Sequence, residues 1–138
     1  MGNCLQAAIE YATKYGWAVF PVSARTKKPL TPHGCNDAKK DVGAIKAWWR
    51  RWPDASVGIA TGRVSKLIVI DEDIDEDAGL DGYHEVTMWE HAHKPLPETV
   101  MAITGRGGSH LYYRYRGTDE IKNRTGILPG VDVRGDGG

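Results

Sequence analysis

Asp71 and Asp73 stand two residues apart at the end of the apolar run Leu67-Ile68-Val69-Ile70. Side chains at i and i+2 of a strand share a face, so this spacing sets two carboxylates side by side. Paired carboxylates repel, and a divalent cation relieves the repulsion. Mg²⁺ and Mn²⁺ prefer oxygen ligands and retain several waters, so two or three carboxylates suffice to hold one. The end of a central strand is also where open sheets build their sites. The same residues open the run Asp71-Glu-Asp-Ile-Asp-Glu-Asp77, which reads equally as a solvated acidic loop, the common fate of a charge run. An EF-hand is excluded, because Glu76 stands at the obligatory glycine and Gly82 at the bidentate glutamate.

A second group is Thr104-Gly105-Arg106-Gly107-Gly108-Ser109-His110. Glycines let successive backbone N–H groups converge on an anion, and Arg106, Ser109 and His110 add donors. The run lacks the Gly-Lys-Ser/Thr ending of a phosphate-binding loop, and His110 displaces the last glycine of a dinucleotide fingerprint. An ordinary hairpin tip accounts for it as well. A third group is Gly130-Val-Asp132-Val-Arg134-Gly135, where Asp132 and Arg134 share one strand face. Such a pair is usually a structural ion pair; in a metal and phosphate site the two groups would hold a cation and a phosphoryl oxygen. His84, His91 and His93 have no cysteine nearby at zinc spacing. Lys28 could reach a phosphate or be solvated. Trp48, Trp49 and Trp52 suit a helix core better than a base-stacking platform. The alternation Tyr112, Tyr113, Arg114, Tyr115, Arg116 suits a nucleic-acid groove or any exposed strand.

The elements that must position these groups follow from the pattern. Residues 3–15 read as a helix capped by Asn3, and 17–22 as a strand. A loop spans 23–40. Asp41 caps a second helix with Ile45, Trp48, Trp49 and Trp52 on its apolar face, ended by Pro53. Strands are expected at 56–60 and at 67–70, the latter buried on both faces. A third helix runs from Leu80 to about His93. Strands follow at 100–104 and 109–115, a loop at 117–130, and a last strand at 131–134.

At 138 residues the chain has the size of one domain, and 41% hydrophobic with 26% charged residues is ordinary globular composition. No apolar run is long enough to span a bilayer. Two cysteines form no disulfide framework, so a reducing, cytoplasmic setting is expected. Net charge is zero, yet six of the eighteen acids sit in residues 71–77. The other twelve face eighteen Lys and Arg, a basic excess of six that suits anionic partners.

Taken together these stretches resemble the N-terminal bifunctional DNA primase/polymerase (Prim-Pol) domain of the archaeo-eukaryotic primase superfamily. The likeness runs in order from Tyr11-Ala12 and Gly16-Trp-Ala-Val-Phe-Pro-Val22 through Lys28-Pro29, Trp48-Trp49 and Val57-Gly-Ile-Ala-Thr-Gly62. It continues through Leu67-Ile-Val-Ile-Asp71, Leu96-Pro-Glu-Thr99, Thr104–Tyr112 and Gly130–Gly138. The resemblance implies an α+β catalytic core, a mixed sheet flanked by helices, occupying residues 1–138. It implies a nucleotidyltransferase that copies a single-stranded DNA template from a primer and nucleoside triphosphates, in plasmid, phage or prophage replication. Two divalent metals, Mg²⁺ or Mn²⁺, would be held by Asp71, Asp73 and Asp132. His110 would contact the incoming phosphates. Gly107, Gly108 and Ser109 would line the triphosphate, with Arg106, Arg134 and Lys28 as further phosphate contacts. Because the family continues into further strands, the chain is expected to be a C-terminally trimmed part of a longer replication protein, with a fused or partner helicase. The alternatives are a non-catalytic nucleic-acid-binding initiation module and a metal-dependent nuclease.

Overall fold

The computed structural model describes residues 2–105 and 107–138, the side chains of residues 2 and 3 excepted. Helix α1 (Gly2–Lys14) begins one residue before the expected cap, so Asn3 lies inside it. Strand β1 (Val19–Val22) follows, and the loop beyond it contains a short 3-10 turn, Gly34–Asp37. Helix α2 (Val42–Arg51) is capped as its sequence dictates: the Asp41 carboxylate accepts from the Ala44 N–H at 3.0 Å. Strand β2 (Ser56–Ile59) pairs antiparallel with β1. The two helices and this ribbon enclose Ala8, Ala12, Val19, Ile45, Trp49 and Ala55. Trp49 is 3% exposed, and its indole N–H donates to the Ala55 carbonyl at 3.1 Å, which satisfies the one polar atom it buries. Trp48 and Trp52 are partly buried against the same cluster, so this set is core.

The second half is a five-stranded sheet. It contains β3 (Leu67–Glu72), β6 (Met101–Ile103), β7 (Ser109–Arg114), β8 (Arg124–Leu128) and β9 (Val131–Arg134), in the order β6-β7-β3-β9-β8. Every pairing in it is antiparallel, where a mixed sheet was expected. The apolar strand β3 is central, with Leu67 and Val69 buried and Ile68 and Ile70 half-buried. Between β3 and helix α3 (Gly82–Ala92), the acidic run folds into a small antiparallel pair, β4 (Ile74–Asp75) with β5 (Leu80–Asp81). The helix therefore starts two residues later than its apolar pattern suggests. Asp81 caps it, accepting from the His84 N–H at 3.0 Å.

Alternation along the strands gives the sheet two faces. One carries Val69, Asp71, His110, Tyr112, Asp132 and Arg134. The other carries Ile70, Glu72, Ser109, Leu111 and Val131, and α3 packs there through Val86. Strand β8 corrects the expectation of a loop over 117–130. Its residues are almost all exposed, and its one sheet neighbour is β9. The two halves are joined at the strand ends. The Ala18 N–H donates to Ser65 Oγ at 2.9 Å, and Thr61 Oγ1 donates to the Gly135 carbonyl at 2.7 Å. No helix among the described residues is long and apolar enough to cross a membrane, and Cys4 and Cys35 are both free.

Candidate active site

Register assembles the site. Asp71 on the central strand is paired with His110 on β7 and with Asp132 on β9, so three adjacent strands set these side chains in one row. Asp73 follows just past the end of β3. One carboxylate oxygen from each of Asp71, Asp73 and Asp132 lies within 4.8 Å of the others, the only such group of three metal-ligating residues among the described residues. Arg134 reaches across the row, its Nη2 standing 3.4 Å from Asp71 Oδ2 and 3.2 Å from Asp132 Oδ2. Asp132 Oδ1 accepts from the Gly126 N–H at 2.8 Å, which fixes the carboxylate's orientation.

The electrostatics are unbalanced. Like charges about 4 Å apart cost on the order of 4 kcal/mol at an effective dielectric near 20. Among the described residues, one guanidinium against three carboxylates leaves most of that repulsion in place. Partial desolvation, then the charges of Asp71 and Asp132, raise the Asp73 carboxyl above its ordinary value. Asp71 is 9% exposed, and its Oδ1 is buried without a hydrogen-bond partner among the described residues. His110 Nε2 stands 3.2 Å from that oxygen, out of line for a hydrogen bond. An unpaired buried acceptor costs roughly 1–3 kcal/mol, and more when charged. A converging set of hard oxygen donors with one orphaned atom fits a Mg²⁺- or Mn²⁺-like cation.

A family model decides what this row belongs to: bifunctional DNA primase/polymerase, N-terminal, known as Prim-Pol, matches residues 8–138. The chain belongs to the Prim-Pol family. No curated protein matches it.

The other expected site residues of this Prim-Pol domain fall in different places. Gly107 takes a φ of +83° in the turn between β6 and β7, which closes with the Thr104 N–H donating to the Gly108 carbonyl at 2.8 Å. Gly108 packs against β3, where any Cβ would collide with the Glu72 carbonyl oxygen. Arg106, just before Gly107, lies outside the described residues. Ser109 departs from the expectation that it faces a triphosphate. Its hydroxyl donates to Glu72 Oε1 at 2.9 Å on the α3 face, because it alternates with His110. Burial raises the Glu72 carboxyl above its usual value, partly offset by that Ser109 hydroxyl. Lys28 is exposed in the loop after β1, and among the described residues no hydrogen bond or ion pair ties it to the acidic row.

Two features escaped the sequence. Tyr11, Tyr15, Trp17 and Tyr112 form one aromatic stack beside the row: Tyr15–Trp17 centroids are 4.9 Å apart and Trp17–Tyr112 6.0 Å. Tyr11 and Tyr15 are four residues apart on a helical pattern, a signal that was legible without its partners. Asp136 ties three segments together, accepting from Arg63 N at 2.7 Å, Arg63 Nε at 2.8 Å and Ile121 N at 3.0 Å.

Proposed function

We propose that this domain is a template-directed nucleotidyltransferase that extends a primer with nucleoside triphosphates, serving replication in the cytoplasm. The observation that carries the reading is the row His110–Asp71–Asp132 across three paired strands, with Asp73 at its end. Asp71, Asp73 and Asp132 would hold the divalent cations. Those cations would supply charge neutralisation at the triphosphate and acidity toward the primer hydroxyl.

The chain's own residues do the rest by positioning and charge. His110, beside the carboxylates, would donate a ring N–H to a phosphate oxygen. Arg134 balances the acids when no cation is bound. With the acids engaged elsewhere, its planar fork offers paired charge-assisted hydrogen bonds to a phosphate. The glycine turn before β7 brings backbone close to the same end of the sheet. Phosphoryl transfer asks little covalent chemistry of the protein, so this inventory is sufficient in kind.

Extension of a labelled primer with Mg²⁺ or Mn²⁺ tests the reading. The parent is expected to lengthen the primer, and Asp71→Ala and Asp132→Ala to abolish incorporation while keeping the parent's circular dichroism. Incorporation undiminished in both variants rejects the reading. Shortening of the primer by the parent identifies a nuclease instead.

A further inference from the structure

The β8–β9 hairpin touches two of the three carboxylates of the row, and a glycine makes each contact. Strand β8 is exposed apart from the half-buried Leu128, so burial gives it little reason to be there. Its pairing with β9 is broken at one place. Arg124 stands opposite Val133 and Leu128 opposite Val131, so residues 125–127 face Asp132 alone. Bulges of this kind re-aim groups beside sites. Gly126 lies at the centre of this one, with a φ of +65°. Its N–H leaves the ladder and donates to Asp132 Oδ1 at 2.8 Å. Asp132 Oδ2 is left facing Arg134, whose Nη2 stands 3.2 Å from it and 3.4 Å from Asp71 Oδ2. One oxygen of this carboxylate is thus held by backbone, and the other is turned toward the row.

The turn of the same hairpin holds Asp73. The Asp73 N–H donates to the Gly130 carbonyl at 2.7 Å, and the Gly82 N–H donates to the Asp73 carbonyl at 2.8 Å. Gly130 has a φ of +75°, and a Cβ on Gly82 would collide with the Gly130 carbonyl oxygen. Backbone therefore clamps Asp73 from both sides, in a space that admits no side chain.

We infer that Gly126 is a positioning residue for the cation site: its N–H, presented by the β8 bulge, holds Asp132 in the orientation that lets it share a divalent cation with Asp71 and Asp73. This role rests on the cation-binding reading proposed above, and it belongs to a residue that touches neither cation nor substrate. Three carboxylates repel one another, and a free side chain rotates away from its neighbours. A charge-assisted bond from a fixed backbone N–H restrains that rotation without placing a competing cation in the site. The backbone conformation is what requires glycine. Another L-residue at this φ is strained, and a return to extended backbone swings the N–H off Asp132. Space is not the reason, since among the described residues nothing lies within 4 Å of a Cβ built on Gly126.

Titration of Mn²⁺ into the full chain without nucleotide, with free metal read by electron paramagnetic resonance, tests this role. Gly126→Ala is expected to bind Mn²⁺ about tenfold more weakly than the parent, the loss typical when a ligand's hydrogen-bond partner is removed. Gly126→Asn, which tolerates the left-handed conformation, should restore most of the affinity. Gly16→Ala is the matched control. Gly16 has a φ of +70° in the turn after α1 and the same open surroundings, so its variant carries the same strain and should bind Mn²⁺ as the parent does. Hydrogen exchange gives a second readout: the exposed Gly126 amide should exchange about tenfold faster in Asp132→Ala than in the parent. Parent-like Mn²⁺ affinity in Gly126→Ala, an equal loss in Gly16→Ala, or unchanged Gly126 exchange in Asp132→Ala overturns the positioning role and leaves the metal row standing. A parent that binds no Mn²⁺ overturns row and role together. Mn²⁺ binding that responds as expected, in a parent that extends no primer, upholds the role and removes the polymerase reading alone.

Discussion

Among the described residues, Arg134 is the only Lys or Arg that pairs with the row of three carboxylates, and it is shared between Asp71 and Asp132. Its side chain is 42% exposed, so solvent screens the pairs and their joint worth is about 1 kcal/mol. Arg134→Ala is therefore expected to lower thermal stability modestly in chelator. Mn²⁺ should then stabilise the variant more than the parent, since it replaces the missing charge; differential scanning fluorimetry with and without Mn²⁺ measures this. Gly108 acts at the same scale through space rather than charge. Gly108→Ala drives a methyl into the Glu72 carbonyl and shifts β7 against β3, for a loss of about 1–3 kcal/mol in urea unfolding. Asp71 and Asp73 were legible as neighbours, because i, i+2 spacing at a strand end is a local fact. That Asp132 and His110 flank them is a matter of strand order. No local pattern encodes strand order, and the resemblance alone suggested it.

At the scale of elements, the helix signals carried most information. Asp41, Pro53 and the Ile45–Trp49 spacing gave α2 to within a residue, because cap chemistry and apolar periodicity act within one turn. Trp49→Ala should cost about 3–5 kcal/mol by emptying the core between α1, α2 and β1. Strand β8 was illegible for the opposite reason. Arg124-Thr-Gly-Ile-Leu128 is exposed and broken by a glycine, and pairing with β9 makes it a strand. The acidic run misled similarly, since its hairpin of β4 and β5 shortens α3. Asp136 gives this scale a pH signature. Its carboxyl is held below the ordinary value chiefly by the Arg63 backbone N–H; desolvation opposes this, and the Ile121 N–H and the Arg63 charge add smaller lowering effects. A depressed folded-state pKa contributes stability that is fully present above the unfolded carboxylate value, about 4. That contribution disappears as pH falls through the lower folded value. Asp136→Asn should thus melt below the parent at pH 7, and the gap should close toward pH 3.

At the scale of the molecule, an antiparallel sheet presents one face to α3 and the other to the first half of the chain, and the candidate chemistry sits on that second face, toward the Asp71 end of β3. The α+β class was given by the resemblance, and the helices and strands read from the sequence agree with it. A groove between the halves was not legible, since it needs Tyr11, Tyr15 and Trp17 to meet Tyr112 across nearly a hundred residues. Zero net charge conceals the same division, with acids gathered at the row and Lys14, Lys40, Lys66, Arg114 and Arg116 along the groove between the halves.

The convergence of Asp71, Asp73 and Asp132 on a common cation is tested most directly by titrating Mn²⁺ into the protein and reading free metal by electron paramagnetic resonance. The parent should bind Mn²⁺, and Asp132→Asn, folded by circular dichroism, should bind it more than about tenfold more weakly, the loss that even an outer-shell partner produces. Equal Mn²⁺ affinity in the two proteins would contradict the account.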